Sequence, residues 1–225
     1  PDVFVLSLSL PVAPYVLAKD NKGGPSYTIS MYYRMKDETR KVLERMYSQS
    51  DDDTKINDEA SYAYAGDDGK TGRQQHSSYN AVRLFDQWCL RSSLDDKQFM
   101  GRFKLITSIA NFETMGLPKY ISCWNGKPVL IKRPGTTGFL YRNNNPDCME
   151  MEISFHPFPW ATKKAIRYLC DNALPSSLLN FGFVIEARDE TELPEVLVGL
   201  CQLCYPNAEQ AVPSKTFFEN ELAGK

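Results

Sequence analysis

The sequence predicts an α+β fold: a mainly antiparallel β-sheet packed with several α-helices in a single domain over residues 1–225. Period-two apolar faces recur along the chain, at Phe4, Leu6, Leu8 and Leu10, at Tyr27, Ile29, Met31, Tyr33 and Met35, and at Leu179, Phe181, Phe183 and Ile185. Stretches with helical spacing fall between groups of strands and do not follow each strand in turn, which excludes the regular alternation of a parallel sheet. With 225 residues, 42% of them hydrophobic and 24% charged, the chain can bury one sizeable core.

The first strand runs from Phe4 to Leu10 and stops at Pro11 and Pro14. A turn-forming stretch, Asp20 to Ser26, joins it to the Tyr27–Met35 strand, so the two read as an antiparallel pair. Asp37 to Met46 has helical spacing, with Val42, Leu43 and Met46 on one face. Residues 49–75 are polar and rich in Asp and Gly, an insertion or loop within the domain; Asp51–Asp53 reads as solvated surface. Ser77 or Ser78 caps a helix carrying Ala81, Leu84, Phe85, Trp88 and Cys89. Phe103 to Ile106 is strand. Tyr120–Trp124 and Val129–Ile131 flank Asn125-Gly126 and read as a hairpin. Short strands follow at Gly138–Tyr141 and Met149–Phe155, the second bounded by Asn143–Pro146 and Pro157, then a helix from Ala161 to Cys170. In the stretch from Leu178 to Cys204, a strand gives way to a predicted helix capped by Thr191, with Pro194 in its first turn. Leu193, Val196, Leu197, Leu200, Cys201 and Cys204 would form its buried stripe. A last short helix is expected after Pro213.

Composition excludes several functions. A net charge of −2 does not suit a nucleic-acid binder that relies on a basic field. The chain has no apolar run long enough to span a bilayer, and its apolar opening lacks a basic n-region, so no signal peptide is read. Starting at Pro1, it reads as a domain taken from a larger protein. Six scattered cysteines in a chain this large point to a reduced, intracellular and cytoplasmic protein.

No catalytic or metal constellation emerges. Cys201-x-x-Cys204 lacks a second pair, and only His76 and His156 are available as further ligands, so buried core cysteines are expected. Glu150 and Glu152 share one strand face; as paired carboxylates they would serve acid–base chemistry, and otherwise they form a solvated face or partners for Lys127 or Lys132. With no nucleophile elbow, P-loop or dinucleotide fingerprint, the expectation is a protein that is not an enzyme and uses no cofactor. Two other groups stand out. Phe158 and Trp160 precede Lys163, Lys164 and Arg167, a basic helix face beside aromatics that suits an anionic membrane surface; the plainer reading packs Trp160 inward. Tyr27, Met31, Tyr33, Met149, Met151, Phe181 and Phe183 lie on strand faces that either fill a core or line an apolar cavity.

Five ordered blocks carry a family resemblance. Glu192-Leu193-Pro194-Glu195-Val196-Leu197-Val198-Gly199 closely resembles the signature near the end of the enhanced disease resistance 2 C-terminal domain of plants, algae and protists. Phe99 to Ile106, containing Arg102-Phe103-Lys104-Leu105-Ile106, is similar to a second block of that family, as are Gly126-Lys127-Pro128-Val129-Leu130, Met149 to Ile153, and the strand ending at Pro11. The family's opening tryptophan and its "RG.NYL" segment are missing, so the front of the domain is expected to lie outside this chain. The acidic strand also departs from the pattern, continuing as Ser154-Phe155-His156. The resemblance brings no catalytic residue. Because relatives often carry lipid-binding domains upstream, it implies a non-enzymatic lipid-binding or lipid-sensing module, peripheral to membranes, whose partner is a lipid or other apolar small molecule. The alternative is a protein-interaction or regulatory domain with a filled core. A hydrolase using Glu150 and Glu152 is the third reading.

Overall fold

The computed structural model describes residues 1–12, 24–50, 71–132, 136–141 and 147–213, without the side chains of 49–50, 71–78 and 136–141. Most of the polar segment expected at 49–75 lies outside these residues, as do the Asn143–Pro146 loop and the helix expected after Pro213.

The α+β expectation holds, with the strands divided between two four-stranded sheets. In the first, the order is β2 (Ser26–Arg34), β1 (Val3–Pro11), β6 (Cys148–Ser154) and β5 (Thr136–Tyr141). β1 pairs antiparallel with β2, as expected, and parallel with β6. In the second, the order is β4 (Pro128–Leu130), β3 (Phe103–Ile109), β7 (Leu178–Ile185) and β8 (Gly199–Cys204), all antiparallel. The helices are α1 (Asp37–Ser50), α2 (Thr71–Ser93), α3 (Lys97–Met100), α4 (Lys119–Ser122) and α5 (Trp160–Asn172).

Alternation decides how the sheets meet. Phe4, Leu6 and Leu8 of β1 and Met149, Met151 and Ile153 of β6 turn inward, where Phe103 and Leu105 of β3 and Phe181, Phe183 and Ile185 of β7 meet them. The Phe4 and Phe183 rings are 4.9 Å apart, and those of Phe103 and Phe183 are 5.3 Å apart. α2 sets Trp88 against this cluster, 5.4 Å from Phe103, and Trp88 is buried.

Two predicted elements are corrected. The helix expected from Thr191 to Cys204 does not form. Asp189, not Thr191, caps a 3-10 turn over Glu190–Glu192, accepting from the Thr191 N–H; the chain then runs extended through a cis Leu193–Pro194 peptide into β8. The spacing of three and four suggests a helix, but pairing with β7 selects a strand, which puts Cys201 on its inner face and Leu200 and Cys204 on its outer face. In place of a buried stripe, Leu193, Leu197 and Leu200 are 49%, 50% and 61% exposed. The predicted hairpin at 120–131 is also absent. Residues 119–122 form α4, Gly126 takes a positive φ of 73°, and the short β4 pairs with β3 at Lys104–Ile106. Asn125 supports this turn by accepting from the Ile109 N–H.

Candidate functional site

The seven residues proposed for an apolar ligand lie on the facing sheet surfaces. Met31, Met149, Met151, Phe181 and Phe183 are buried, while Tyr27 and Tyr33 are half-buried and pack against them. Where β2 and β8 approach, the Tyr33 hydroxyl is 3.3 Å from Cys201 Sγ, and that thiol donates to Met31 Sδ at 3.2 Å. Burial, and then the thiol, push the Tyr33 phenol above its ordinary range, which makes it a neutral packing group. These side chains belong to, or pack against, one hydrophobic cluster between the sheets. A shallow open depression of about 400 Å³ lies elsewhere, lined by Phe112, Glu113, Gly116, Leu117, Lys119 and Ser122.

The basic–aromatic face at the start of α5 is only partly available. Phe158 is half-buried, its ring 4.6 Å from Phe155 and packed against the core. Arg167 pairs with Asp171 at 2.6 Å and donates to the Val12 carbonyl. Lys163 donates to the His156 carbonyl at 3.2 Å. Trp160, by contrast, is 55% exposed, with the Lys164 ammonium 5.0 Å above its ring. The inward packing that would have made Trp160 ordinary is not found.

Glu150 and Glu152 do stand on one outer strand face, but neither meets Lys127 or Lys132 in an ion pair. Ser7 and Ser9 of the neighbouring parallel strand donate to them at 3.3 and 3.0 Å. Cys201 and Cys204 part company on a strand: Cys201 points inward and Cys204 is exposed, so the two thiols do not share a face. Among the described residues no cluster of His, Cys, Asp or Glu suits a metal. Burial, and then Asp171, push the Cys170 thiol up to about 11, so it is unreactive at neutral pH. His156 is a loop residue but a buried one; burial, and then Lys163, hold its imidazole below the usual histidine range.

The most organised polar constellation was not anticipated. Arg102, just before β3, and Lys104 of β3 flank the fully buried Phe103. Arg102 donates to both Glu192 oxygens at 2.8 and 2.9 Å, and Lys104 to both Glu195 oxygens at 2.8 Å. Glu192 also accepts from the Arg188 N–H, and Glu195 from the Ala187 N–H. Behind them, Arg91 and Arg102 lie over the Phe99 ring at 3.7 and 4.0 Å. From α2, Asn80 donates to the Leu193 carbonyl and Arg83 to the Thr191 carbonyl. Cations at spacing two and carboxylates at spacing three are visible in the sequence; that they meet across some ninety positions is not. This clamp ties the 187–195 loop to Arg102 and Lys104, while the buried Arg102 Nε has no hydrogen-bond partner among the described residues.

A family model described as "Protein ENHANCED DISEASE RESISTANCE 2, C-terminal" matches residues 1–207. No curated protein and no solved structure matches the chain.

Proposed function

This chain belongs to the enhanced disease resistance 2 C-terminal family, and from that premise we propose a non-enzymatic module that meets lipid at a membrane surface, with the space between its sheets filled. The observation that carries this reading is Trp160, exposed in the first turn of α5 with Lys164 over its ring. An indole with one wet and one apolar edge suits the headgroup level, and a cation beside it favours anionic lipid by about 1 kcal/mol. Among the described residues no helix is long and apolar enough to cross a membrane, so the proposed contact is peripheral. The neighbouring cations, Lys163 and Arg167, are engaged with backbone carbonyls and with Asp171, which leaves Lys164 as the cation beside Trp160.

Co-sedimentation with vesicles tests this directly. The chain is expected to pellet with phosphatidylserine-containing vesicles and not with purely zwitterionic ones. Trp160→Ala and Lys164→Glu are expected each to lower partition several-fold without changing the fold. Equal recovery in the supernatant with both vesicle types would refute the proposal.

The second reading, a protein-interaction domain in which the surface meets a partner, is favoured by a separate observation. Leu193, Leu197 and Leu200 stand about half exposed or more on a loop and strand held in place by two carboxylate clamps. Partition that does not respond to either α5 variant would favour it.

A further inference from the structure

We propose that β8 is a pairing edge on which a second copy of this chain adds its own β8, joining two four-stranded sheets into one. β8 is the last strand of its sheet, with β7 on one side and no strand on the other among the described residues. Register shows which backbone groups are left over. The Tyr205 N–H donates to the Ser177 carbonyl, and the pairing continues as Leu179 with Leu203 and Phe181 with Cys201. Antiparallel ladders alternate, so the amides and carbonyls of Leu200, Gln202 and Cys204 point away from β7. Their side chains are exposed as well.

Edges in native sheets are usually blunted by charge, proline or shortness. β4, at the far end of the same sheet, is blunted in this way: it has three residues, opens with Pro128 and follows Lys127. β8 has six residues and neither a charge nor a proline. In the other sheet one edge strand, β2, carries Arg34, and the opposite edge strand, β5, lies against α2.

The occupant is set by charge and symmetry. Antiparallel pairing about Gln202 places the two Gln202 residues opposite each other and Leu200 opposite the second copy's Cys204, in about six backbone hydrogen bonds. Every opposed pair is neutral, so a copy of the same strand meets no like charge. Leu200 is exposed on the outer face, where pairing would cover it with the second copy's Cys204.

Sedimentation velocity of the full chain over micromolar concentrations tests the proposal, with Gln202→Glu and Gln202→Lys as variants. Gln202 is exposed, so neither substitution threatens the core, and circular dichroism checks that both fold. The wild-type mass is expected to double with concentration. Each variant alone places like charges face to face and is expected to stay monomeric, whereas an equimolar mixture of the two is expected to recover the dimer. A wild type that remains monomeric overturns the proposal, as does a dimer unaffected by either variant, or a mixture that fails to pair.

Discussion

Gly199 lies where the two sheets approach at their β2 and β8 edges. A Cβ there would come within 2.4 and 2.7 Å of the buried Phe183 ring and 3.0 Å of Tyr33. Phe183 is held by four aromatic neighbours and cannot withdraw. Gly199→Ala should therefore cost about 1–3 kcal/mol through overpacking, read as a lowered midpoint in chemical denaturation. At Gly182 the obstructing atom is Leu197 Cδ1 at 2.9 Å, the end of a side chain that is half exposed. That side chain can swing aside, so Gly182→Ala should stay within about 1 kcal/mol of wild type. Equal losses at the two glycines would contradict the packing described. His156 gives a pH signature. Its folded pKa is lowered, so the fold prefers the neutral ring; stability is complete above the unfolded value of about 6.5 and is lost as pH falls below it. His156→Leu should flatten that part of the stability–pH curve.

At the scale of elements, the loop between β7 and β8 decides most. It replaces a predicted helix, and two carboxylates hold it. Both members of the Arg102–Glu192 pair are 11% exposed in their side chains, whereas Lys104 and Glu195 are 19% and 31% exposed. Removing one charge from the drier pair leaves a buried guanidinium without its partner, so Glu192→Gln should cost about 3–5 kcal/mol. The wetter pair is screened by solvent, and Glu195→Gln should cost about 1 kcal/mol or less. Urea unfolding of both variants measures the difference, and a ranking in the opposite order would show that the clamp is not what holds the loop. α5 differs in kind: its half-buried face seats Ile166, Leu169 and Cys170 on the core, and its first turn leaves Trp160 to solvent.

For the whole molecule, the question is whether the space between the sheets is full or hollow. Leu6, Leu8, Phe103, Met149, Met151, Ile153 and Phe183 all have essentially no accessible surface and belong to one packed cluster. Native mass spectrometry of the chain purified from a eukaryotic host should accordingly give the mass of the polypeptide with no stoichiometric lipid. A reproducible lipid adduct would mean that the sheets part to admit one, and would move the lipid contact from α5 to the interior.

Much of this architecture is local and therefore readable along the chain. The alternation at Phe4–Leu10, Tyr27–Tyr33, Met149–Ile153 and Leu179–Ile185 fixes which side chains face inward, because a strand has only two faces. The spacing of Ala81, Leu84, Trp88 and Cys89 gives α2 in the same way. The family resemblance is likewise legible in the sequence, and the match over residues 1–207 bears it out. Tertiary structure alone decided the rest. Residues Leu193 to Cys204 carry helical spacing, and the hydrogen bonds offered by β7 make Gly199–Cys204 a strand instead. The union of Arg102 with Glu192 and Lys104 with Glu195, the parallel seating of β6 on β1, and the exposure of Trp160 all depend on where distant segments meet. A pattern read along one strand or helix carries the period of its own backbone and no information about which distant surface will cover it.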